Sequence, residues 1–112
     1  MATVRVKQND RRPVVVATLT DSTGGAIDLS TASGVKFVMK SATASTAKID
    51  TAATITTATD GIVTYSWAAG DTDTTGTYDA EFEIDWGSNI YETIPTKNYL
   101  TVEVIDDLGG DI

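Results

Sequence analysis

Six carboxylates, Asp71, Asp73, Asp79, Glu81, Glu83 and Asp85, crowd into the stretch WAAGDTDTTGTYDAEFEIDW between Trp67 and Trp86. Oxygen ligands at such density suit a hard cation, and carboxylate pairs suit the acid–base work of glycosidases. An EF-hand loop reads D-x-D-x-[DN]-G and places a bidentate Glu at its twelfth position. Asp71, Asp73 and Gly76 fit the opening, but Thr75 stands where an acid or Asn is preferred and Phe82 holds the twelfth position. Phe82 cannot ligate, so the EF-hand reading fails. A looser calcium site on the Asp71–Asp73 loop stays open as an alternative. The favoured role for both aspartates is capping a turn by accepting bonds from loop amides.

The second half of the stretch separates by strand parity. Tyr78, Ala80, Phe82, Ile84 and Trp86 fall on one face, and Asp79, Glu81, Glu83 and Asp85 on the other. Alternate carboxylates on a strand stand about 7 Å apart, close enough to act in pairs. Catalysis also needs a concave pocket and perturbed acidities, which a flat acidic face in water does not supply. The acids are therefore expected to be solvated, or paired with Lys36 and Lys40 or with Arg5 and Lys7 on neighbouring strands.

GTYDA carries a different signal. Gly76, Tyr78 and Ala80 match the spacing of an immunoglobulin tyrosine corner, with Ala80 where the second cysteine would stand. The Tyr78 hydroxyl is expected to bond backwards into the loop near Asp73, making Gly76, Tyr78 and Asp73 a structural corner. Trp67 and Trp86 could stack on a sugar, but their parity places them in the core and at its rim. Neither Gly24-Gly25 nor Gly109-Gly110 precedes a helix, so no phosphate loop is read.

The elements that must position these residues are strands. Alternation marks strands at Thr3–Gln8, Val14–Thr20, Val35–Lys40, Gly61–Trp67, Thr77–Trp86 and Tyr99–Ile105, with weaker ones near Ala53–Thr57 and in YETIP. Asp21–Gly25, Asp60-Gly61 and the GSN triplet supply turns. SATASTAK reads as a loop, and no useful helical stripe appears. Seven to nine short strands with turns every eight to twelve residues predict an all-β fold, an immunoglobulin-like antiparallel β-sandwich, with a small closed barrel as the alternative. One domain over 1–106 and a loose tail over 107–112 are expected.

Composition narrows the chemistry. The 112 residues carry sixteen acidic against eight basic side chains, a net charge of −8, which disfavours nucleic acid. The basic residues gather at Arg5, Lys7, Arg11 and Arg12, where ion pairing in an assembly is the expected role. Without any His or Cys, a Ser-His-Asp triad, a Cys-His dyad and ordinary zinc catalysis are excluded. No apolar run reaches the length of a membrane span, and MATVRVKQND has no signal-peptide core. No membrane partner, and a protein kept in a cytoplasm or released by lysis, is expected.

VKQNDRRPVVVATLTDSTGGAIDLSTASGVKFVMK (Val6–Lys40) and YSWAAGDTDTTGTYDAEFEIDW (Tyr65–Trp86), followed by TIP and LTVEV, run in order along nearly the whole chain. Together they resemble the small phage virion domains related to the amino-terminal domain of siphophage baseplate upper proteins. The resemblance implies a non-enzymatic β-sandwich that docks, in multiple copies, on other virion structural proteins of a symmetric particle. It implies no cofactor, no catalytic residue, and a virion location after assembly in the host cytoplasm. Arg5, Lys7, Arg11 and Arg12 and the row Asp79, Glu81, Glu83 and Asp85 are the candidate interaction surface. The alternative is a free-standing sandwich module for calcium or glycan.

Overall fold

Alternation of inward apolar and outward polar residues builds the long strands of the chain. The structure is a computed structural model and describes residues 3–95, 100–106 and 108. Its strands are β1 (Thr3–Lys7), β2 (Val15–Thr18), β3 (Gly34–Ser41), β4 (Ile49–Ala52), β5 (Thr54–Thr57), β6 (Ile62–Tyr65), β7 (Gly76–Gly87), β8 (Ile90–Ile94) and β9 (Leu100–Ile105). One sheet runs β1-β9-β7-β3-β4, with β8 also on β7, and the other runs β2-β6-β5. The two sheets form the expected all-β sandwich. A single 3-10 turn at Ala58–Asp60 is the only helical element among the described residues.

The long strand β7 organises the larger sheet. It pairs antiparallel with β3 along its length, with β9 over its first half and with β8 over its second. Its inward residues Ala80, Phe82 and Ile84 are almost fully buried, as are Val35, Phe37 and Met39 on β3. From the smaller sheet, Val15, Val63 and Tyr65 meet them, with Trp67 just beyond β6. Phe37 is the centre: its ring stacks on Tyr65 at 4.7 Å, lies 5.1 Å from Phe82 and meets Trp67 edge-on at 6.1 Å. Burying one such ring contributes about 1.5–3 kcal/mol, and offset or edge contacts add to it.

Three features depart from the sequence reading. Strand β1 pairs with β9 in parallel, Arg5 opposite Glu103, so the sandwich is not wholly antiparallel. The chain leaves β1 for β2 in the other sheet, which frees β1 to lie along β9 in the same direction. The weak strand expected near Ala53–Thr57 is β5 in the smaller sheet, and a further strand that was not expected, β4 in the larger sheet, precedes it, with the chain crossing between sheets at Ala53. Only Ile49 of β4 is buried, so β4 lacks the alternation that would reveal it. The expected tail, apart from the exposed Leu108, and the start of the last predicted strand at Tyr99 lie outside the described residues.

Gly61 shows why Asp60-Gly61 turns the chain. It caps the 3-10 turn with φ +68°, and a Cβ there would sit 2.6 Å from the Ile27 carbonyl oxygen and 2.9 Å from that of Leu19. Only glycine allows both that conformation and that backbone approach.

Candidate functional site

The acid-rich loop leaves β6 at Trp67 and enters β7 at Gly76. Its two aspartates, Asp71 and Asp73, bind different partners. Asp71 accepts the Tyr65 hydroxyl and, at 2.8 Å, the amide of Ala68. Asp73 accepts Lys48 Nζ at 2.8 Å and the Thr74 hydroxyl at 2.9 Å. Each aspartate is thus bound to a different element, the first to β6 and its own loop, the second to the residue that precedes β4. Among the described residues no three His, Cys, Asp or Glu side chains gather around a common point.

Burial, the Asp71 hydrogen bond and the Asp71 charge, in that order, push the Tyr65 phenol well above its ordinary range. The Lys48 hydrogen bond, then Thr74, holds the Asp73 carboxyl below its usual value, and the same contact raises Lys48. Both partners move in the direction an ion pair requires.

The tyrosine side chain closes the corner. Tyr78 is 5% exposed and donates its hydroxyl to the Thr74 carbonyl at 2.6 Å. The acceptor is one residue beyond Asp73, whose own side chain is spent on Lys48. Gly76 lies between them with φ +149°, and a Cβ there would meet the Tyr78 ring at 3.9 Å.

A second segment, the bend from Gln8 to Pro13, is bonded onto the same loop. Asn9 N–H donates to the Thr72 carbonyl, Gln8 Nε2 to the Asp73 carbonyl, and the Thr72 hydroxyl to the Asp10 carbonyl. Arg11 Nε donates to the Trp67 carbonyl at 2.9 Å, and Trp67 Nε1 to the Pro13 carbonyl at 2.8 Å. Thr72 is only 2% exposed, buried by this clasp. No sequence signal marked Thr72 or Lys48, because their partners are carbonyls and loop atoms distant in the chain.

The remaining carboxylates face outward from the larger sheet. Asp79, Glu81, Glu83 and Asp85 alternate with the core residues of β7 and are half-buried between neighbouring strands. Lys36 on β3 lies 2.9 Å from Asp50 and 3.5 Å from Glu83. Arg5, by contrast, pairs with Glu103 on β9 at 2.7 Å, and Lys7 donates to the Asp106 carbonyl. β9 stands between β1 and β7, so Arg5 and Lys7 do not reach the acidic row. Burial and the neighbouring Glu83 charge raise the Glu81 carboxyl.

No family model and no curated protein matches the chain.

Two hollows open on this outer face. One, of about 480 Å³, lies over Lys36, Asp50, Glu83, Asp85 and Tyr91. The other, of about 420 Å³, is lined by Val38, Lys40, Ala42, Asp79, Ala80 and Glu81. Trp86, at the rim as its parity implied, donates Nε1 to Glu92 at 3.0 Å. Tyr91 and Ile90 on β8 are 56% and 59% exposed. The face carries charges of both signs and some apolar surface.

Proposed function

We propose that the chain is a non-enzymatic structural module of a bacteriophage virion that docks on a head, neck, tail or baseplate assembly. The observation that carries the reading is where the polar groups are spent. The loop acids and the Tyr78 hydroxyl are engaged in internal bonds that stiffen one end of the sandwich. The hollowed, charged face of the larger sheet keeps its side chains at the surface. A rigid sandwich with a broad mixed-charge face is suited to docking, and the ordered resemblance of Val6–Lys40 and Tyr65–Trp86 to phage virion domains supplies the setting.

The test is quantitative mass spectrometry on washed, gradient-purified particles. The expected result is this chain at a fixed, symmetry-related ratio to the major virion proteins. Its absence from such particles overturns the proposal.

A further inference from the structure

The larger sheet presents its basic and acidic rows on one face. Val4 and Val6 point inward, so Arg5 and Lys7 point out. The register Arg5–Glu103–Thr77 carries that outward face across β9 onto β7, where Asp79, Glu81, Glu83 and Asp85 continue it. At the β1 edge of the sheet, a groove is lined by Arg5, Lys7 and Arg12, with Asp10 the one carboxylate among the described residues and Val6, Pro13 and Ile105 apolar. Further along, the hollow of Asp79 and Glu81 holds a single cation, Lys40. Among the described residues, Lys7, Arg12, Asp79 and Glu81 form no salt bridge. Arg5 pairs with Glu103 at 2.7 Å and would share its remaining guanidinium donors with an incoming carboxylate. Glu81 is half-buried and has no salt-bridge or hydrogen-bond partner among the described residues, and an incoming cation would supply one.

Within one copy the two patches cannot meet. Two strand spacings separate β1 from β7, about 10 Å, and Glu81 lies four residues beyond the level of Arg5, about 13 Å along the strands. Between two copies they can. A two-fold axis in the plane of the interface, midway between the patches, sets the basic row of each copy on the acidic hollow of the other at once.

We infer that two copies of this chain pack through the outer faces of their larger sheets, Arg5 and Lys7 of each against Asp79 and Glu81 of the other. The inference rests on the proposed role as an assembly component and names the partner of that face as a second copy.

Net charge does not forbid it. At physiological salt, charges more than about 8 Å apart are largely screened, so local complementarity outweighs the overall −8. The face is about 20 Å wide and 25 Å long, about 500 Å² per copy. A stable dimer buries about 800 Å² per partner, so this one is weak and salt-sensitive.

Sedimentation equilibrium of the purified full chain tests it. Dimer is expected at low ionic strength and high concentration, giving way to monomer in molar salt. Arg5→Glu/Lys7→Glu and Asp79→Lys/Glu81→Lys are each expected to be monomeric alone and to form a mixed dimer when combined, because each then meets a complementary face. Circular dichroism establishes that the variants are folded, and Lys7→Glu with Glu81→Lys serves if either double variant is not. A wild-type chain that is monomeric throughout, variants that dimerise alone, or a mixture that stays monomeric overturns the inference. A monomer found on particles refutes only the dimer; a dimer absent from particles refutes only the virion role.

Discussion

Replacing Tyr78 by Phe removes one oxygen and leaves the ring in place. The residue is 5% exposed, and the burial of its ring, opposite Val102 in the β7–β9 register, does not depend on the hydroxyl. What is lost is the 2.6 Å bond to the Thr74 carbonyl, which is left without that donor at a partly buried site. A net hydrogen bond contributes about 0.5–1.5 kcal/mol, and an orphaned buried acceptor costs about 1–3 kcal/mol, so the expected loss is about 1–2 kcal/mol. For a domain near 100 residues that is a fall of about 4–10 °C in the thermal midpoint. Tyr91→Phe is the control, since Tyr91 is 56% exposed, and it is expected to stay within about 0.5 kcal/mol of the parent. Urea titrations followed by tryptophan fluorescence measure both variants, with an unchanged slope showing that only stability moved. If Tyr78→Phe is as stable as Tyr91→Phe, the corner is decoration and the reasoning fails.

Other substitutions probe separate causes. Gly61→Ala forces a Cβ to within 3 Å of two carbonyl oxygens in a left-handed conformation, and a loss of about 2–4 kcal/mol is expected in the same titration. Two carboxylates should show opposite pH dependences in thermal melts. The folded Asp73 carboxyl lies below its ordinary 3.8, so its contribution is complete above that value and disappears as pH falls through the folded pKa. Asp73→Asn therefore lowers the midpoint at neutral pH, and the difference closes in acid. Glu81 is raised above its ordinary 4.5, so its ionisation opposes folding once pH exceeds that value. Glu81→Gln raises the midpoint at neutral pH and matches the parent below pH 4.5. Parallel shifts of the two variants would contradict the assignment of their surroundings.

How much of this was legible in the sequence depended on whether a residue's partner was local. The β7 faces follow from parity alone, because each inward residue is apolar and each outward one acidic from Tyr78 to Asp85. The core ring cluster follows likewise, since Val35, Phe37 and Met39 share one parity opposite Lys36, Val38 and Lys40, and Val63, Tyr65 and Trp67 alternate with Thr64 and Ser66. β4 was hidden because its sheet partner β3 gives it a place that its own composition does not. The parallel pairing of β1 was hidden for the same reason: β9 lies almost a chain length away.

The acid-rich loop shows the limit most clearly. Spacing of acids along a chain describes a metal site only if the backbone brings their oxygens to one point. Here Asp71 is drawn to Tyr65 and Ala68, while Asp73 is drawn to Lys48. Those partners are set by the fold, through β6 on one side and the entry to β4 on the other, and neither is visible in DTDTTG. A carboxylate that already accepts a phenol and an amide, beside one that already holds an ammonium, gains little from a cation that must first displace them. The same loop carbonyls, of Thr72, Asp73 and Thr74, each accept a bond from a group outside the loop: Asn9, Gln8 and Tyr78. What looked like a ligand set is therefore the clasp that joins the Gln8–Pro13 bend to the start of β7.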